Sequence, residues 1–378
     1  MVHRPPVAVL LATVLGFGCL YAPQPLLPVM AAEFGVSAQS ASLLITLALL
    51  PLAVAPLLYG YVLEGVAAAR MMRAACAVLA LAMLGSALAQ GWWQLLALRV
   101  LVGLALPALF TALMTFVSQS ARQGHVREAI AWYIAATILG GFLGRALSGA
   151  LEDLAGWPVA FGFWGLGLLL AQIPMARLPA QGQSHFGRIR AAVLPRLLGD
   201  PRFGFAYLAI LCVFFVFAGF LNVLPFRLTE LSPGLRSTAV GLAYGGYLIG
   251  IVLALGGQHV AGWLGSEGRT LGVGLALYAA GLACFALPAT LALYAGMFAF
   301  CAGMFLVHGR LSGHVNQMAS QHRGVVNGFY IAAYYLGGSL GSWAAPALQR
   351  SLGWGPLLVV LALVMVVAAG SLFRLMRA

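Results

Sequence analysis

Lysine is absent from this 378-residue chain and acids are scarce: 8 Asp and Glu stand beside 20 Arg, and only 7% of residues are charged. Soluble domains carry about 25% charged residues, so a chain this poor in charge cannot cover a water-facing surface. With 62% of its residues apolar, its solvent is a bilayer. The apolar runs are long and continuous rather than short and alternating, which excludes a membrane β-barrel. The five cysteines (Cys19, Cys76, Cys212, Cys284 and Cys301) all sit inside apolar runs without close pairing. That spacing excludes a disulfide framework or a thiolate metal site and leaves them as small packing residues. At about 20 residues per spanning helix, the length leaves room for about twelve spans and no sizeable soluble domain. Arg4 followed by an apolar run from Val7 imitates a secretory signal. The many similar runs that follow mark it as a retained first span.

What is present is a series of apolar runs with short polar breaks. The predicted spans are 7–29, 40–62, 74–90, 94–117, 128–150, 157–178, 203–225, 239–262, 270–287, 289–312, 324–347 and 355–373. Very short breaks at Gly91–Trp93 and at Pro288 read as tight hairpins. With the N-terminus inside, fifteen arginines lie on the inner side, three (Arg227, Arg236, Arg350) on the outer side and two (Arg99, Arg145) deep within spans. That asymmetry predicts both termini on the cytoplasmic side. It also accounts for the formal charge of +12 without a nucleic-acid partner. The longest break, 179–202, carries four arginines at the middle of the chain. It divides the sequence into residues 1–178, a linker at 179–202, and residues 203–378.

The halves are related. Tyr133-Ile134-Ala135-Ala136 and Leu139-Gly140-Gly141-Phe142-Leu143-Gly144 return as Tyr330-Ile331-Ala332-Ala333 and Leu336-Gly337-Gly338-Ser339-Leu340-Gly341. The offset is 197 residues, and it also pairs His125 with His322 and Trp157 with Trp354. Shared apolar composition does not place tyrosine, histidine and tryptophan in register. Gly140 with Gly144, and Gly337 with Gly341, stand four apart on one helical face and permit close backbone approach. Parallel six-helix repeats are an organisation of secondary transporters, with a midplane site between the halves.

Candidate residues follow from what is costly in a membrane. None of the eight acids falls deep in a predicted span, so a buried carboxylate is not available as a proton site. Arg99 is the strongest candidate: a guanidinium inside a span costs about 2.5–3.5 kcal/mol on insertion scales and usually faces a cavity or partner. Gly103 and Pro107 share its face and loosen the helix. The competing reading is that Arg99 snorkels to the outer surface, and snorkelling competes more strongly at Arg145. His308 titrates near neutrality when unperturbed, as a coupling group must; a plain helix-end hydrogen bond is its alternative. Tyr21, Gln24, Asn222, Tyr330 and Tyr334 suit a mixed polar and apolar pocket, or simple packing. Pro23, Pro25 and Pro28 end or kink the first span.

These features resemble the major facilitator superfamily over essentially the whole chain. Arg99-x-x-x-Gly103 looks like its span-4 motif. The opening Tyr21-Ala22-Pro23-Gln24-Pro25-Leu26-Leu27-Pro28 and the Gly140–Gly149 run are similar to a drug/proton-antiporter-like group within it, in which His308 falls where the group has a histidine. The resemblance implies an all-α membrane protein of twelve transmembrane helices in two six-helix pseudo-symmetric bundles. It implies a non-enzymatic, monomeric carrier of a bacterial inner membrane, without cofactor or metal, whose partners are a small-molecule solute, protons and the lipid bilayer. Efflux of small amphipathic solutes is the expected activity; uptake of an organic anion, or a sensor that has lost transport, are the alternatives. The loop after span 2 departs from the family pattern: Gly60 and Glu64 remain, while Gly65 replaces a basic residue and Ala67 a glycine. Span 5 has Gly144-Arg145 where the antiporter signature has Gly-Pro.

Overall fold

In lipid a backbone must satisfy its own hydrogen bonds, and a helix does so within one segment. The apolar runs accordingly become helices. The computed structural model describes residues 5–62, 66–122, 124–179, 199–319 and 323–377, and their side chains except at 56–62, 257–261 and 323. Among the described residues twelve spans follow one another, numbered in chain order. The first six are Val7–Glu33, Leu43–Val62, Ala68–Ala87, Trp92–Ser120, Val126–Ala155 and Trp157–Met175. The seventh is Pro201–Leu231, and the eighth runs from Ser237–Leu242 through the tight turn Ala243–Gly246 into Tyr247–Leu264. Glu267–Cys284, Thr290–Met318, Arg323–Leu352 and Trp354–Leu375 complete the set. Ten helices are long and apolar enough to cross a membrane on length and composition alone. Spans 9 and 11, richer in glycine and polar groups, join them by packing on spans 10 and 7.

Helices run past the hydrophobic pattern at several boundaries. Span 7 ends at Leu231 rather than 225, span 10 at Met318 rather than 312 and span 11 at Leu352 rather than 347. Arg227, Glu230 and Arg350, assigned to outer breaks, therefore lie within helices. Span 3 begins at Ala68 rather than 74, because Arg70 and Arg73 are good helix formers that stand on its exposed face. Span 5 continues to Ala155, past Glu152 and Asp153, which the pattern assigned to an outer break. Proline acts as expected in span 1. The first helix stops at Tyr21, a tight turn covers Gln24–Leu26, and helix resumes over Leu27–Glu33. Span 7 starts at an N-cap aspartate, Asp200, whose carboxylate accepts the Arg202 N–H at 3.0 Å. The Arg202 guanidinium beside it holds that carboxyl below its usual range.

The glycine pairs show how the repeat is built. A Cβ at Gly140 would fall on the Val14 backbone, and one at Gly144 on that of Gly18. In the second half Gly337 meets Leu211 in the same way and Gly341 meets Phe215. Residues 14 and 211, and 18 and 215, are again 197 apart. Span 5 therefore packs on span 1 in the register that span 11 uses on span 7. One hydrophobic core draws on residues 8–175, and the other on 203–375 with Ile138. The face where span 1 begins and span 12 ends is termed the terminal face, and the other the opposite face.

Candidate functional site

Arg99 is fully buried. It does not snorkel, and among the described residues no carboxylate meets it. Nε donates to the Leu44 carbonyl at 2.6 Å, Nη1 to Cys19 at 2.9 Å and Nη2 to Leu20 at 2.8 Å. The cause lies in span 1. Pro23 has no N–H to return to the Cys19 carbonyl, and the helix break leaves Leu20 equally short of a donor. The guanidinium caps the broken end, where helix carbonyls carry partial negative charge. Gly103, one turn along span 4, lets that span approach the Leu47 carbonyl of span 2, which a Cβ would crowd to 2.7 Å. Pro107 lies buried further along the same helix.

Arg145 is also fully buried, at the seam between the halves. Nε donates to Gln24 Oε1 at 2.6 Å, Nη1 to the Gly141 carbonyl at 2.6 Å, and Nη2 to the Tyr247 hydroxyl at 3.1 Å. Three rings enclose the cation, with centroids 4.0 Å (Tyr21), 4.4 Å (Tyr247) and 4.7 Å (Tyr244) from its central carbon. Desolvated cation–π contacts of this kind are worth up to about 2 kcal/mol each. The network continues across the seam: Gln24 Nε2 donates to Asn222 Oδ1 at 2.6 Å, and Asn222 Nδ2 to the Ser342 carbonyl at 3.2 Å. The buried Ser342 hydroxyl finds no partner among the described residues. The structure thus unites Tyr21, Gln24, Asn222 and Arg145, and adds Tyr244 and Tyr247, which the sequence reading passed over. The available signal was two tyrosines three apart in a glycine-rich stretch of span 8.

His308 belongs to a second group. The Tyr330 hydroxyl lies 3.1 Å from its Nδ1 and 3.3 Å from its carbonyl. Tyr334 packs 4.8 Å from the imidazole and stacks on Phe214 at 3.6 Å. In the first half the Tyr133 hydroxyl donates to the Phe110 carbonyl at 3.4 Å, so Phe110 offers Tyr133 the backbone acceptor that His308 offers Tyr330, although the 197-residue offset itself pairs His308 with Thr111.

The seam is closed toward the opposite face. The Asp153 carboxylate accepts from the Ser237 and Thr238 N–H groups at 2.9 and 2.8 Å and from the Thr238 hydroxyl at 2.5 Å. It caps the N-terminus of span 8 from the other half, with Arg236 at 3.5 Å. A Cβ at Gly241 would meet the Arg145 carbonyl at 2.6 Å. Across the second seam Ser339 donates to the Thr46 carbonyl at 3.4 Å. Beside that seam lies an apolar recess of about 360 Å³, lined by Leu50, Val54, Tyr207, Leu211, Phe329 and Leu336.

Three further acids lie near helix ends and are engaged: Glu33 accepts from Trp157, Glu230 pairs with Arg227 at 2.9 Å, and Glu267 with His314 at 3.1 Å. Glu64 and His322 lie outside the described residues, and Gly60 falls in the last turns of span 2. Among the described residues no three His, Cys, Asp or Glu side chains converge as metal ligands.

The Major Facilitator Superfamily model matches residues 9–342. The chain belongs to that superfamily. It is 25% identical to the inner membrane transport protein YnfM of Escherichia coli (strain K12), over 93% of this chain and 85% of that one. A 157-residue stretch is 30% identical to YybF, an uncharacterised MFS-type transporter of Bacillus subtilis (strain 168), covering 42% of this chain and 39% of that protein. In fold it is similar to a bacterial homologue of the human lysosomal transporter Spinster in an inward-facing, occupied conformation. That match has a TM-score of 0.76 at 15% identity, over 98% of this chain and 96% of that one. A variant of the nucleoside transporter NupG gives a TM-score of 0.74 at 12% identity, over 98% and 99%. The protein is a multi-pass membrane carrier, a secondary transporter of small solutes, and not an enzyme.

Proposed function

We propose that this carrier exports small amphipathic organic solutes, neutral or anionic, in exchange for protons. It does so as a monomer in a bacterial inner membrane with both chain ends in the cytoplasm, and its halves, 1–178 and 203–378, rock about the seam. The observation that carries this reading is Arg145. A full positive charge, held at the junction of both halves by neutral groups alone, repels cationic solutes and favours anionic ones. The rings around it supply the apolar surface an amphipathic solute requires. The closed opposite face, against the Asp153 cap and the Gln24–Asn222 bond, supports alternating access. For the proton, His308 is the group whose type titrates nearest neutrality, and its place beside Tyr330 and Tyr334 puts it among the aromatic side chains of the second half.

The test uses inverted vesicles with an imposed proton gradient and a matched set of solutes: benzoate, benzamide and benzylamine. Benzoate or benzamide is expected to dissipate the gradient in a protein-dependent manner, and benzylamine is not. Proton flux with benzylamine alone overturns the charge selectivity, and no solute-dependent flux for any of them overturns antiport. Uptake of an organic anion uses the same side chains with protons moving in the same direction as the solute, which the sign of the flux reads directly.

A further inference from the structure

Arg145 is surrounded by groups from two moving bodies. Tyr21, Gln24 and the Gly141 carbonyl come from its own half; Tyr244 and Tyr247 come from span 8 of the other half. The start of span 8 is also the segment that seals the opposite face. Ser237 and Thr238 bind Asp153 there, and Gly241 lies against the backbone of Arg145 and Ala146. The two tyrosines follow within two turns, so any motion that opens the opposite face by withdrawing span 8 carries them away from the guanidinium. Nε and Nη1 stay held by Gln24 and Gly141, while Nη2 and two faces of aromatic cover are lost. A desolvated cation without counter-charge is costly, and its planar fork fits an anion, a carboxylate best of all.

We infer that Arg145 is the anion site of the state open to the opposite face, and that Tyr244 and Tyr247 occupy this site when that face closes. Anion and seal compete for one guanidinium surface. In the closed arrangement Arg145 has no exposed surface, so an anion carried from the terminal face meets the guanidinium only as span 8 withdraws, at the step that releases it toward the opposite face. The ligand class is a monoanion, either an organic carboxylate, with Tyr21 left to pack on its apolar part, or an inorganic halide. The inference rests on the reading of Arg145 as the solute-selecting charge and adds the state in which it binds and the groups it displaces.

Ser237 is 6% exposed beneath Asp153 and Gly149, so its exposure reports opening of the opposite face. The experiment substitutes Ser237→Cys and measures the rate of maleimide labelling at that position in nanodiscs, against the unsubstituted parent as background. Sodium benzoate, sodium chloride and neutral benzamide are compared in sodium MES at constant ionic strength. An anion that binds the open state is expected to accelerate labelling at least about fivefold. Benzoate alone assigns the site to carboxylates, chloride alone to halides, and benzamide is inert. The response disappears in Arg145→Gln. In Tyr247→Phe, a variant that keeps the ring, the basal rate rises and half-maximal response comes at lower benzoate concentration.

Labelling that ignores both anions overturns the inference, as does equal acceleration in Arg145→Gln. Should that variant fail to fold, an unchanged or raised half-maximal concentration in Tyr247→Phe overturns it instead. Benzoate-driven proton flux alongside anion-indifferent labelling sinks this inference and leaves the carrier reading standing. Anion-responsive labelling without flux does the reverse.

Discussion

Arg99 and Arg145 are both fully buried, both lie inside spans, and neither meets a carboxylate among the described residues. What separates them is the ownership of their partners. Arg99 donates to three backbone carbonyls of spans 1 and 2, all in its own half, so no relative motion of the halves alters its surroundings. Arg145 divides its contacts between the halves and feels every change at the seam. Burial and charge alone do not distinguish a strut from a switch. The distinction lies in whether the partners belong to the same rigid body.

The largest test of this difference is Arg99→Ala. It leaves three buried carbonyls without their donors, each worth about 1–3 kcal/mol, and opens a cavity at the break in span 1. The expected outcome is a loss of at least about 3 kcal/mol, read as a fall in unfolding temperature and in yield of folded protein. Arg99→Lys recovers only part, because one ammonium does not span three carbonyls contributed by two helices. A variant that keeps its unfolding temperature and loses only transport removes the strut and gives Arg99 the solute role.

Arg145→Gln tests the other side of the comparison, with a smaller effect on stability and a larger one on selectivity. Removing the guanidinium breaks three hydrogen bonds but also relieves an uncompensated buried charge, and the two changes offset. Transport of the anionic solute is expected to fall at least about tenfold, the equivalent of 1.4 kcal/mol, while transport of its neutral isostere changes less. Equal loss of both reduces Arg145 to a packing residue. Asp153→Ala reaches the same seam from outside. Helix caps contribute about 0.5–2 kcal/mol, and this cap exists only while the opposite face is closed. The equilibrium is therefore expected to shift toward opening by about two- to thirtyfold, seen as faster labelling at Ser237→Cys with little change in unfolding temperature. Unchanged labelling shows that the glycine contacts hold the seam without the cap.

Much of this architecture is legible in the residues, and the illegible part has one cause. Span order follows from apolar runs, and the repeat follows from Tyr133 and Tyr330 with their glycines, because those glycines are the contact between helices. That both arginines are special is equally plain. Their partners are not, since Arg99 binds backbone carbonyls, which every residue carries. Only Pro23, which withholds an N–H, hints which carbonyls are free. Tyr244 and Tyr247 escaped notice because their importance comes from span 8 docking on span 5, a pairing between distant segments. Asp153 reads as a loop residue because hydropathy ends before the helix does; in the structure the helix carries it to the start of span 8, whose N–H groups it accepts from.

The smallest expected structural effect, and the sharpest functional one, comes from two residues that share a contact rather than a register. Phe110 and His308 each offer a carbonyl to a tyrosine of the repeat, Tyr133 at 3.4 Å and Tyr330 at 3.3 Å. His308→Phe therefore gives the second half a residue that the first already accommodates. Tyr330 keeps its carbonyl acceptor and Tyr334 keeps a ring to pack on, so the stability change is expected to stay within about 1 kcal/mol. What is lost is the ring nitrogen 3.1 Å from Tyr330, the atom proposed to carry the proton. Solute-for-solute exchange across vesicles, which needs no net proton movement, is expected to persist. Transport driven by a proton gradient is expected to collapse, and its dependence on pH to flatten. If gradient-driven transport and its pH profile survive the substitution, the proton travels elsewhere, and the difference between the halves at this position is one of packing alone.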